Sequence, residues 1–156
     1  MKINWKLLAI CIAVPLFIGF LSAFFSQNSM EVFTSLNQPP LSPPGWVFPI
    51  VWTILYVLMG MASYLVLTSG TNNNHIQLSM WLYGLQLFMN FFWSILFFNQ
   101  GMYLVAFIWL VLLWGLLLIT TLQFYKLSKL AGYLMIPYLI WVTFAGYLNL
   151  AIYLIN

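Results

Sequence analysis

The sequence is poor in charge. It has no arginine and no aspartate, and its charged residues are Lys2, Lys6, Glu31, Lys126 and Lys129. A soluble domain carries about a quarter charged residues, so five charges do not cover the surface of a water-soluble fold this size. A single carboxylate excludes chemistry that needs a carboxylate pair, glycosidase type included. One cysteine (Cys11) and one histidine (His75) exclude a side-chain metal centre of three or four ligands. Cys11 lies in an apolar run and His75 in a polar turn, so they do not form a Cys–His nucleophile. With one cysteine, no disulfide forms within the chain. No Gly-rich loop followed by lysine is present to hold phosphate. A net charge of +3, split between two small clusters, gives no nucleic-acid footprint.

What is present is apolar: 65% of the residues are hydrophobic and 20% aromatic. A membrane-spanning helix needs about 20 apolar residues. Five such runs are legible, at about 7–25, 47–68, 78–98, 102–124 and 130–154. The chain therefore reads as one all-α transmembrane domain over 1–156, a five-helix bundle. Three connections are short: 69–77 (SGTNNNHIQ), 99–101 (NQG) and 126–129 (KLSK). The fourth, 26–46, is long and holds four of the seven prolines. Residues that precede proline avoid helical backbone, so 38–44 is expected extended or turned. Long loops in compact proteins are often functional.

Five spans put all four lysines and His75 at one end, with Glu31 and the Pro-rich loop at the other. The positive-inside tendency makes the lysine end cytoplasmic, so the N-terminus is inside the cell membrane and the C-terminus outside. The first run, behind Lys2 and Lys6, also has the look of a signal peptide, with Leu21-Ser22-Ala23 as a cleavage region. Its length of about 19 residues favours a retained span. No ionisable side chain lies deep in a span, which argues against an ion-coupled pump.

Uncharged polar and aromatic residues recur at helical spacing: Trp52, Tyr56, Gly60 and Ser63 on the second span; Gln86, Asn90, Trp93, Ser94 and Phe97 on the third; Pro137, Trp141, Ala145 and Asn149 on the fifth. Amides in hydrocarbon need partners and face the bundle interior. Trp5, Trp46, Trp81 and Trp109 lie near span ends and suit an interfacial belt. At 1.5 Å rise per residue, Trp52 and Trp93 lie about 8 Å below the outer end, Asn90 about 12 Å, Ala145 about 14 Å and Trp141 about 20 Å. The stripes share the outer half of the membrane, beneath the Pro-rich loop. They predict an aromatic cavity with few polar handles, suited to a flat and mostly apolar small molecule. For helix association, Gly19-x-x-x-Ala23, Gly84 and Gly115 are the close-approach candidates.

Three ordered motifs carry a resemblance. They are Pro44-Gly45-Trp46-Val47-Phe48-Pro49-Ile50-Val51-Trp52-Thr53-Ile54-Leu55-Tyr56; Gln86-Leu87-x-x-Asn90-x-x-Trp93-Ser94-x-x-Phe97-Phe98; and Pro137-Tyr138-Leu139-x-Trp141-Val142-x-Phe144-Ala145-x-x-Leu148-Asn149. Together they resemble the translocator protein family (TspO/MBR), also known as peripheral-type benzodiazepine receptors and, in bacteria, tryptophan-rich sensory proteins. The resemblance implies a homodimeric five-helix bundle in a lipid bilayer. It implies a receptor or sensor that binds porphyrins and isoquinoline carboxamide or benzodiazepine-type ligands, with no resident cofactor. Matching positions assign Trp52, Tyr56, Asn90, Trp93, Phe97, Trp141, Ala145 and Leu148 to the ligand site. Light- and oxygen-dependent porphyrin breakdown, with Trp52 and Trp141 as its catalytic residues, and passive tetrapyrrole transport are the alternative activities it implies. The chain departs from many relatives at Val32-Phe33 and Gln38-Pro39, where they carry Trp-Tyr and Lys-Pro. It also lacks the basic residue after Tyr153 that a C-terminal sterol consensus requires.

Overall fold

The computed structural model describes residues 2–26 and 28–156. Its helices are α1 (Trp5–Phe25), α2 (Ser29–Ser35), α3 (Val47–Leu67), α4 (Asn73–Ser94), α5 (Tyr103–Leu127) and α6 (Lys129–Ile155), with α4 continued by a π-helical turn, Ile95–Asn99. Five are long and apolar enough to cross a membrane, counting Asn73–Asn99 as one. No strand occurs among the described residues. The spanning helices form a closed ring in which α1 touches α3 and α4, α6 touches α3 and α5, and α4 touches α5.

Local chemistry sets the ends. Asn4 caps α1 by accepting from the Leu7 N–H at 3.1 Å, and its own N–H donates to the Tyr64 hydroxyl of α3 at 3.0 Å. Asn72 caps α4, which starts at Asn73 rather than near 78, so part of the expected polar turn is helical. The expected KLSK turn reduces to Ser128, which ends α5 and caps α6 through a bond from the Ala131 N–H at 3.3 Å. At the other end, the Asn99 side-chain amide donates to the Phe25 carbonyl at 2.6 Å and ties α4 to α1.

Helix α1 crosses α3 closely at Gly60. Pro15 lacks the N–H that would bond the Cys11 carbonyl, and that carbonyl faces Gly60. A Cβ at Gly60 would lie 2.6 Å from the Cys11 oxygen and 2.5 Å from the Ile12 Cα. About two turns further along α1 from Ile12, Gly19 lies under the Tyr56 ring, 2.3 Å from where a Cβ would sit. Gly19 is therefore used within the bundle, whereas Gly84 and Gly115 have nothing within 4 Å.

Two further readings of the sequence change. The long loop contains α2, whose buried Phe33 packs edge-on against Phe48 at 5.0 Å. Trp109 does not act as a belt residue: its indole N–H donates to the Met89 carbonyl at 2.7 Å and joins α5 to α4. Trp5, Trp46 and Trp81 are exposed, as a belt requires.

Candidate aromatic ligand cavity

Between the halves of α1, α3, α4 and α6 farthest from the lysines lies a cavity of about 470 Å³. That volume falls within the usual range for small-molecule sites. The α3 wall carries Phe48, Trp52 and Tyr56, and the α4 wall Trp93, Ser94, Phe97 and Phe98. The α6 wall is Trp141, Ala145, Leu148 and Asn149. Helix α2 and its approach close the top through Ser26, Ser29, Met30 and Phe33. The lining residues Phe20 and Ala23 of α1, Met30 of α2, and Pro49 and Thr53 of α3 are themselves exposed. The cavity therefore opens sideways between those halves of α1 and α3.

Helical spacing brings the three deep tryptophans to one space. Trp52 stacks on Tyr56 at 5.6 Å, Trp93 leans on Phe97 at 5.4 Å, and Trp141 meets Phe48 at 5.9 Å. Their N–H groups differ. That of Trp93 donates to Asn149 Oδ1 at 3.1 Å, while the Asn149 amide nitrogen donates to the Tyr103 carbonyl at 2.8 Å. Asn149 thereby locks the Trp93 indole and joins three helices. The indole N–H groups of Trp52 and Trp141 have no hydrogen-bond partner among the described residues, so both are open to a ligand acceptor.

Seven of the eight expected site residues line the cavity: Trp52, Tyr56, Trp93, Phe97, Trp141, Ala145 and Leu148. Asn90 does not reach its surface. It is buried below the floor, donating to the Tyr138 hydroxyl at 2.9 Å and the Tyr56 hydroxyl at 3.5 Å. Tyr138 in turn donates to Gln86 Oε1 at 2.8 Å. This chain of bonds joins α3, α4 and α6 and fixes Tyr56, which forms the floor. Asn90 is therefore a positioning residue for the ring above it.

Sequence reasoning missed the α1 wall (Leu16, Gly19, Phe20, Ser22 and Ala23) and the contribution of α2. A signal was available in Ser22, a lone hydroxyl in an apolar run. Its Oγ donates to Ser94 Oγ of α4 at 2.9 Å. The loop over the cavity is tied down on the α6 side. Asn37 N–H donates to Asn156 Oδ1 at 2.9 Å, Asn156 Nδ2 to the Asn37 carbonyl at 3.1 Å, and the Tyr147 hydroxyl to the Pro40 carbonyl at 2.8 Å. Gln38 adds a side-chain bond to the Phe33 carbonyl.

Comparison with known proteins places this geometry. The profile described as the TspO/MBR family matches residues 11–154. The Tryptophan-rich protein TspO of Chlorobaculum tepidum is 40% identical over 150 residues, covering 96% of this chain and 95% of that protein. Its namesake in Archaeoglobus fulgidus is 37% identical over 153 residues, covering 97% of each. The Translocator protein of Bos taurus is 34% identical over 133 residues, covering 84% of this chain and 79% of that protein. The resemblance in the three motifs thus extends along nearly the whole chain, which is an integral membrane protein and belongs to the TspO/MBR family.

Proposed function

We propose that the protein is a membrane receptor or sensor that binds a flat tetrapyrrole in the aromatic cavity. The observation that carries this reading is a space of about 470 Å³ walled by Trp52, Trp93 and Trp141, with two indole N–H groups lacking a protein partner. Flat π-systems gain from offset or edge-on contact with such rings, and the free N–H groups give the ligand orientation. The names Tryptophan-rich sensory protein and Translocator protein among the relatives support the receptor or sensor role. The lysine excess at one end supports that end as cytoplasmic, with the cavity in the outer half of the cell membrane. The homodimer that the resemblance implies would use faces the bundle leaves open, such as those at Gly84 or Gly115.

The test is titration of the purified protein with protoporphyrin, followed by quenching of tryptophan fluorescence. Saturable binding is expected. A Trp52→Phe, Trp141→Phe double variant loses two N–H donors and part of two stacking surfaces. Together these are worth about 1–3 kcal/mol, or roughly a 5- to 150-fold weaker Kd. Unchanged binding by the folded double variant would show that the ligand sits elsewhere.

A further inference from the structure

The Pro-rich loop runs down the side of the bundle as well as over its end. Asn37 is held at the end of α6 by Asn156, and three residues later the Pro40 carbonyl accepts the Tyr147 hydroxyl at 2.8 Å. Tyr147 precedes Asn156 by nine residues, about 13 Å of helix, and helical side chains tilt further toward the N-terminus. Three extended residues span about 10 Å. From Asn37 to Pro40 the chain therefore descends along α6. The flank it follows is an open apolar stripe: Ile140, Tyr147 and Leu154, spaced by seven, are 64%, 42% and 70% exposed. Helix α6 has 27 residues, about 40 Å, against a hydrocarbon core of about 30 Å. Centred in a bilayer, its last turn stands among headgroups, and Tyr147 lies at the edge of the acyl chains.

At the foot of this descent the chain turns. The Ser42 N–H donates to the Pro39 carbonyl at 3.3 Å, and Leu41 has a φ of +68°. A turn with positive φ at its third residue takes glycine or asparagine, and a leucine there is strained. Such strain persists where the surroundings fix it, which the two prolines and the Tyr147 bond do. The strained residue is also 82% exposed, more than any other large hydrophobic among the described residues.

The composition of the turn suits lipid. Irregular backbone is kept out of acyl chains because its polar groups lack partners there. Four of the seven residues 38–44 are prolines, with no N–H to leave unpaired. The Ser42 N–H and the Pro39 and Pro40 carbonyls are already bonded. No charged residue follows Glu31 until Lys126.

We propose that residues 38–44 are a membrane anchor. The turn sinks beside α6 to the headgroup–acyl boundary of the leaflet opposite the lysines, Leu41 enters the lipid, and the Tyr147 hydroxyl fixes its depth. Lipid is the occupant because the turn lies on the stripe of α6 that a bilayer surrounds. The anchor is independent of what the cavity binds.

The test is spin-label accessibility in liposomes, with the whole chain carrying Cys11→Ser and one labelled cysteine at a time: Leu41→Cys, Ile140→Cys as the lipid reference, or Ser35→Cys as the water reference. Ser35 is exposed one turn from the exposed Glu31 on α2, on the face that carries charge. Molecular oxygen concentrates in lipid, and a polar nickel chelate stays in water. The label at 41 is expected to relax with oxygen and not with nickel, as at 140, and the label at 35 with nickel. Adding Tyr147→Phe is expected to shift position 41 toward the nickel response. A label at 41 that behaves as at 35 overturns the proposal. So does one shielded from both reagents, which would place Leu41 against another protein chain. A label that keeps its full oxygen response without the Tyr147 hydroxyl inserts through its own apolarity, and that result overturns the proposal as well.

Discussion

Tyr138 has no exposure, and its hydroxyl both receives the Asn90 amide and donates to Gln86. Hydrogen bonds between membrane helices contribute about 0.6 kcal/mol on average. Here one hydroxyl serves two buried amides, and removing it leaves a donor and an acceptor unpaired where no water competes. Tyr138→Phe is therefore expected to cost about 1–3 kcal/mol, nearer the penalty for unsatisfied buried groups than the membrane average. Thermal unfolding in detergent measures this, and a melting temperature equal to wild type would remove Tyr138 from the supporting network. The amides of this network were legible in the sequence, because Gln86, Asn90 and Asn149 in apolar spans had to face inward. That Asn90 lies below the cavity was not, since helical spacing gives the face of a helix and not how far a side chain reaches.

At the scale of elements, α1 shows what hydropathy conceals. It is apolar on all sides, so no stripe marked the face that meets α3 or the wall it gives the cavity. The crossing is set instead by Pro15 and Gly60. Replacing Gly60 by alanine sets two terms against each other. Helix propensity improves by about 1 kcal/mol, while overpacking costs about 1–3 kcal/mol. The contacts at 2.5 and 2.6 Å are with backbone atoms, which cannot rotate away, so the cost wins. Gly60→Ala is expected to lower the melting temperature, whereas Gly84→Ala, with nothing within 4 Å, is expected to be neutral or mildly stabilising. Equal effects at the two positions would contradict the close crossing. Helix α2 was illegible for a different reason. Its seven residues are too few to show a period, and the prolines after it dominate the reading of the loop. The five spans were legible because bilayer thickness fixes their length and leaves little else for such runs to be.

The whole molecule joins a scaffold and a cavity that draw on different residues. Along the lysine-end half, α1 and α3 pack through glycine and backbone. In the other half they part, and the tryptophans of α3, α4 and α6 face the space between. Charge is confined to the ends, which leaves the cavity neutral and its lateral opening apolar. The loop above is held to α6 by Asn37, Asn156, Tyr147 and Pro40, on the side away from that opening. The scarcity of charge that first marks this sequence as a membrane protein thus also describes the cavity. The measurement that tests the account most directly is a structure of the protein in complex with protoporphyrin. The account predicts the macrocycle inside the cavity, its ring within roughly 4.5–7 Å of the Trp52 and Trp141 rings. A macrocycle bound on the lipid-facing surface or between protomers, with the cavity unoccupied, would contradict it.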